Sequence, residues 1–312
     1  MAIAELDREA LSSVKEESFW KVVWNRFRRH KLAVGGMVIL IVIILACTFA
    51  PIVAPYDPTE IHKDPATGQI YKNAPPSLKF IMGTDAIGRD VLTRLLYAGR
   101  ISLLIAFVVT LFAETTGAIV GAVSGFYGGW IDDVIQRTVE FLLTLPLLPL
   151  LLAFSALLRG FSIPGLPAEW SSAVIIAVIL ILFGWMGASR LMRGMVLSLR
   201  NQEFTEAARA MGLSNFGIIL RHMIPNAMAP IIVSATLSLG GVIIYESALS
   251  FLGFGIQPPI PTWGNMLSEY QNDMWTQPAK VFYPGLSIFV VNLSFNYMGD
   301  ALRDALDPRL KR

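Results

Sequence analysis

Six apolar stretches constrain this chain more than any other feature: residues 32–50, 101–125, 134–158, 172–188, 228–251 and 282–298. Each is close to the roughly 20 residues a helix needs to cross the hydrocarbon core of a bilayer. In lipid, every backbone N–H and C=O must be satisfied within the segment, so stretches of this kind fold as helices. The expected fold class is therefore all-α, a polytopic membrane protein with about six transmembrane helices. Composition agrees, with 54% hydrophobic and 15% charged residues, against about 25% charged in a soluble domain.

The rest of the chain divides around these stretches. Residues 1–31 are polar and then basic (Lys21, Arg26, Arg28, Arg29, Lys31), with Trp20 and Trp24 among the charges. They read as an amphipathic helix at a membrane surface that leads into the first span, without a small-residue cleavage site after the apolar run. Residues 51–100 form a long Pro/Asp/Lys-rich loop, with a short interfacial helix expected after Asp90, its N-cap. The core at 101–298 contains a polar loop at 201–227, and residues 299–312 form a tail. Gly128-Gly129 sit in an expected turn at 126–133. Pro146 and Pro149 are expected to kink or break the third span. Gly117, Gly121 and Gly125 make a small-residue face for close packing, against a neighbouring helix or another chain.

Lys and Arg distribute unevenly over the loops. Residues 1–31, 126–137, 189–227 and 299–312 carry 17 of the 25, whereas 51–100, 159–171 and 254–282 carry 8. Cytoplasmic loops carry the excess, so both termini and the 201–227 loop are expected in the cytoplasm. The single cysteine, Cys47, lies in the first span and excludes an intrachain disulfide.

That cytoplasmic loop is the most informative polar segment. Residues 203–230 read EFTEAARAMGLSNFGIILRHMIPNAMAP. Phe204, Ala207, Ala208 and Met211 fall at i, i+3, i+4 and i+7, on one face of a short helix. Asn201 is the expected cap, and Glu203 and Glu206 suit the positive helix end. Gly212 supplies a left-handed stop. Ser214 or Asn215 then caps a second helix carrying Phe216, Ile218, Ile219 and Leu220. With two alanines admitting a close neighbour, the segment reads as a docking knob; the plain alternative is an ordinary helix–turn–helix.

Glu206-Ala207-Ala208, Gly212 and Pro225 at this spacing resemble the EAA loop of permease subunits of binding-protein-dependent (type I) ABC importers. His222, where the broad pattern has Ile, resembles the peptide-importer branch. Met82-Gly83-Thr84-Asp85 with Gly88-Arg89-Asp90, continued by Arg94, Gly99 and Arg100, resembles that branch's outer-loop signature. Ser250-Phe251-Leu252-Gly253, Gln257-Pro258-Pro259, Trp263-Gly264 and Met266-Leu267 resemble the second (C-type) permease of the dipeptide/oligopeptide pair. The resemblance covers essentially the whole chain after the N-terminal segment. It implies the type I permease fold and a coupling helix at Phe204, Glu206, Ala207, Ala208, Met211 and Gly212. It also implies two ATPase subunits holding ATP and Mg, a homologous second permease, an extracytoplasmic substrate-binding protein, and a place in the inner membrane of a prokaryote. The solute it implies is a di- or oligopeptide, with oligosaccharide, nickel chelate or glutathione as sister choices.

The residues themselves hold no phosphate-cradling G-x-x-x-x-G-K-[ST] motif. An enzyme is not expected, nor a cofactor or metal bound by this chain, nor a nucleic-acid partner. Glu114, Glu246, Asn292 and Asn296 lie in spans and are candidates for the translocation path, since intramembrane polar groups mark pathways or bundle contacts. An ion-coupled secondary transporter, with Glu114, Glu140 and Glu246 as a relay, is the alternative of a different class, but no inverted repeat is visible. A membrane enzyme would need His30, His62 or His222 beside acidic ligands, and the three are scattered.

Overall fold

The computed structural model describes residues 18–307. Among them five helices are long and apolar enough to cross a membrane, and a bent pair makes a sixth crossing if it counts as one. The described residues contain no sheet, only isolated bridges at Lys63–Ile70 and Thr84–Asp90 in the long loop.

Helix α1 (Phe19–Phe27) is amphipathic, as expected. It buries Val23 and Phe27 against Ala33, Ala301 and Ala305, while Trp24 stays exposed. Residues 1–17 and 308–312, including part of the expected N-terminal helix and tail, lie outside the described residues. Helix α2 (Lys31–Thr48) is the first crossing, followed by one turn, α3 (Ala50–Val53).

Helix α4 (Val91–Tyr127) revises the expectation of a short helix followed by a separate span, because both are one helix of 37 residues. At about 1.5 Å per residue it is roughly 55 Å long, well beyond the ~30 Å hydrocarbon core. The Asp90 carboxylate caps it by accepting from Thr93 N at 2.8 Å. Gly99 does not break it, because its bare Cα is where Trp263 packs; a Cβ there would lie 2.6 Å from the indole Cζ2. Further along, Gly121 faces α8 (Met186–Leu199), and a Cβ there would lie 2.9 Å from Ser189 Cα. The small-residue face of α4 is therefore filled by the chain's own α8.

The turn expected at 126–133 shrinks to Gly128, with φ +65°, before α5 (Gly129–Thr144) begins. The third span is not a kinked helix. α5 and α6 (Leu147–Leu157) meet at 89° across Leu145-Pro146. Pro146 has no N–H to continue the ladder, and Pro149 sits in the first turn of α6, where a missing donor costs nothing. Helix α7 (Ala168–Gly184) runs into α8, the two making one long crossing. The loop helices α9 (Glu203–Ala210), α10 (Asn215–Ile218) and α11 (Ile224–Asn226) follow, with a π turn at Ile219–Met223. Helix α12 (Met228–Phe251) has the bounds expected for the fifth span. After α13 (Trp263–Tyr270), α14 (Pro278–Leu306) runs from the sixth span into the expected tail without interruption. Ala301, Leu302, Ala305 and Leu306 are good helix formers, and α1 and α2 cover that end.

Candidate functional site

The polar loop is a compact cap on one end of the bundle. Gly212, at φ +80°, ends α9. Leu213 N donates to Ala208 O (3.2 Å) and Gly212 N to Arg209 O (2.9 Å), the paired bonds of a Schellman stop. Ser214 Oγ then caps the next helix by accepting from Gly217 N at 3.2 Å. The expected cap at Asn201 is not formed. Gln202 occupies the N-cap position without a side-chain bond, and the buried Thr205 instead ties the helix down by donating Oγ1 to Leu199 O at 3.0 Å.

The single apolar face expected on α9 is in fact two. Ala208 is fully buried and Phe204 half-buried, against a cluster that includes Met192, Val196, Ile218 and Met223. Ala207 and Met211 point outward, Met211 being 71% exposed, and Phe216 of α10 joins them at 68%. Glu203 and Glu206 are exposed on the first turn. Pairs at i and i+4 thus divide the labour: Phe204/Ala208 fix the cap to the membrane helices, and Ala207/Met211 are displayed. Beneath it, Asp132 of α5 takes a two-pronged bond from Arg193 of α8 (2.6 and 2.5 Å), with Ser124 Oγ donating to the same carboxylate. Arg200 Nη1 donates to Gly125 O at 3.0 Å. Sequence reasoning missed this junction because it counted Arg193 and Arg200 only as cytoplasmic positive charge.

The four path candidates are not brought together. Glu246 is fully buried and taken up by hydroxyls, from Ser250 at 2.8 Å and from Ser102 at 3.3 Å. Ser102 Oγ also accepts from Trp263 N, so this carboxyl group joins α4, α12 and α13. Asn296 Nδ2 donates to Asn292 O and Oδ1 (2.9 and 3.1 Å), and Asn292 packs on the bare Cα of Gly240; these amides bind α14 to α12. Glu114 lines a cavity.

The end of α4 opposite the 201–227 loop holds a charged cluster that the motifs located only in part. Asp85 accepts from Arg89 Nε (2.6 Å) and Arg94 Nη1 (3.0 Å), and Glu269 from Arg89 Nη2 (2.7 Å) and both terminal nitrogens of Arg94 (2.6 and 3.0 Å). Tyr270 beneath it is buried, which raises its phenol above the usual range. The loop signature, the start of α4 and α13 are one electrostatic unit, and Glu269 is the member that no motif signalled.

Residues 117–312 match the family model for the binding-protein-dependent transport system inner membrane component. The chain belongs to that family. Residues 18–76 of this permease also match the N-terminal TM domain of oligopeptide transport permease C. It is 39% identical over 293 residues to the dipeptide transport system permease protein DppC of Alkalihalophilus pseudofirmus, covering 94% of this chain and 90% of the relative. It is 35% identical over 307 residues to the oligopeptide transport system permease protein OppC of Bacillus subtilis (98% and 94%). It is also 39% identical over 294 residues to the glutathione transport system permease protein GsiD of Escherichia coli (94% and 91%). Family membership makes this permease a multi-span component of the inner membrane in a transport system that depends on a binding protein.

Proposed function

We propose that this permease forms one half of the pore of an ATP-driven importer that moves di- and oligopeptides inward. The observation that carries the energy-coupling half of this reading is the division of α9. Helix α9, pinned by Phe204 and Ala208, displays Ala207 and Met211 beside Phe216 of α10, which makes a knob with an apolar tip, the form of a residue set that fills another protein's groove. Two ATPase subunits, binding ATP and Mg, would each grip one such knob, this chain's and that of a homologous second permease. Closing on ATP, they would favour one of two arrangements of the spans, opening the path to a loaded substrate-binding protein. The Lys/Arg distribution supports placing the knob and both termini in the cytoplasm.

The preference for peptides rests on the dipeptide and oligopeptide relatives. Glutathione, itself a peptide, is the second reading because GsiD is as similar as DppC. Deletion of the gene is expected to abolish growth on dipeptides or oligopeptides as sole source of a required amino acid, with uptake of the free amino acid unchanged. Normal growth on those peptides with loss of glutathione uptake would move the assignment to the second reading.

A further inference from the structure

Glu114 sits within the apolar stretch of α4 and is 6% exposed. Its Oε1 accepts from Ser234 Oγ (3.1 Å) and Ser238 Oγ (2.7 Å) of α12. Its Oε2 has no partner among the described residues, nor has the hydroxyl of Thr110 one turn away, which is 4% exposed. Both residues line a cavity of about 180 Å³ between α4, α6, α7 and α12, walled by Leu151, Phe183 and Tyr245 among others. Glu114 is the only ionisable group of the carboxylate or cationic kind among the residues lining it.

A buried acceptor without a donor is costly, and a carboxylate in a span ordinarily finds its cation within the protein. Here one oxygen is held in place by two serines and the other is left without a donor among the described residues, on a side chain that lines the cavity together with the unpartnered Thr110. On the α12 wall Ser238, Gly241 and Tyr245 follow at helical spacing, so a polar ligand in the cavity would meet the hydroxyls of Ser238 and Tyr245 along one side. The bend at Leu145-Pro146 turns α6 into the opposite wall through Leu147 and Leu151. The geometry points to this cavity as a binding site for the ammonium end of the transported solute, with Glu114 as counter-charge and Thr110 as a further acceptor. That assignment rests on the peptide-import reading and gives it a site in the membrane.

The test uses Gly241→Cys, because a Cβ at Gly241 meets nothing within 4 Å, in a Cys47→Ala background that removes the chain's only cysteine. The purified permease–ATPase complex, without binding protein, is alkylated with N-ethylmaleimide in nucleotide-free and ATP-bound forms. Dialanine or N-acetyl-dialanine is present at equal concentration. Dialanine is expected to slow alkylation in at least one form, by about tenfold at roughly ten times its Kd, and the N-acetyl peptide to leave the rate unchanged. Adding Glu114→Gln, which keeps an oxygen for the serines but removes the charge, is expected to abolish the protection. Equal protection by both peptides, protection that survives Glu114→Gln, absence of protection by either, or a cysteine unreactive in both forms would each overturn the site. The comparison of the two peptides stands even if the Glu114 variant does not assemble. ATP-driven peptide uptake by the unmodified complex, measured in parallel, separates the two claims. Its absence overturns the import reading, whereas its presence with equal protection by both peptides overturns the site alone.

Discussion

Arg94 at the start of α4 grips Glu269 of α13 with both terminal nitrogens, at 2.6 and 3.0 Å, across 175 positions of sequence. Arg94 is 2% exposed and Glu269 about one quarter exposed, so the arginine cannot fall back on water if its partner is lost. Removing one member of a buried pair costs about 3–5 kcal/mol where both are desolvated, and the partial exposure of Glu269 places its own removal below that. Arg94→Ala is expected to loosen the long 51–90 loop from α13, seen as faster proteolysis within those residues and a lower melting temperature. Glu269→Gln should do the same more mildly, since Asp85 still holds Arg94 at 3.0 Å. A double variant that loses less than the sum of the two is expected, with some further loss because Arg89 also holds Glu269 at 2.7 Å; fully additive losses would show that the two residues act separately.

The contact between α4 and α8 yields a packing prediction. Gly121→Val would force a side chain against Ser189, and overpacking costs about 1–3 kcal/mol, so the purified protein should aggregate at lower temperature. Gly187→Ala and Gly194→Ala, at glycines of α8 whose Cβ would meet nothing, should keep or slightly raise the melting temperature, because Ala is favoured over Gly in a helix by about 1 kcal/mol. Equal loss in all three would contradict the assignment of the glycine face to this chain's own packing.

The divided face of α9 predicts two kinds of defect. Ala208→Trp should cripple folding, because Ala208 is fully buried. Ala207→Trp should leave the permease folded and in the membrane while ATPase subunits no longer co-purify with it. Gly212→Val should fall between the two, as its left-handed backbone opposes a β-branched residue. Co-purification of the ATPases with Ala207→Trp at wild-type yield would rule out the exposed tip as their docking point.

Much of this was written in the sequence, and the failures have physical causes. Met228–Phe251 could be bounded because its apolar run ends cleanly in a Gly-rich loop, and Gly212 because only a left-handed stop fits there. Apolar spacing on α9 marks a face but not which of its side chains the chain itself buries, so Ala208 and Ala207 looked alike. The continuity of α4 was hidden because the span was bounded by where its apolar run begins, after Arg100, whereas the backbone helix runs on from Val91; only the packed Trp263 reveals why Gly99 is needed. The Arg94–Glu269 and Asp132–Arg193 pairs join residues 175 and 61 positions apart, and residue type alone carries no pairing rule at that range. Glu114 and Glu246 illustrate the same limit: both are acids in spans, and only the structure separates one with both oxygens taken up by hydroxyls from one with an unpartnered oxygen on a side chain lining a cavity.

Orientation has its own test. In a Cys47→Ala background, Lys72→Cys, at an exposed position of the 51–90 loop, should react with an impermeant maleimide in intact spheroplasts. Asn215→Cys on the knob should react only after permeabilisation. The reverse pattern would invert the topology and remove the knob from the compartment where ATP is held.

The most direct test of ATP-driven peptide import is radiolabelled dipeptide uptake into proteoliposomes containing this permease, its partner permease and both ATPases, with the binding protein outside and ATP enclosed. Accumulation is expected only when ATP and binding protein are both present, and Ala207→Trp should reduce it by at least about tenfold, the effect of losing ~1.4 kcal/mol of docking. Accumulation driven by a proton gradient without ATP, or unaffected by Ala207→Trp, would contradict the account.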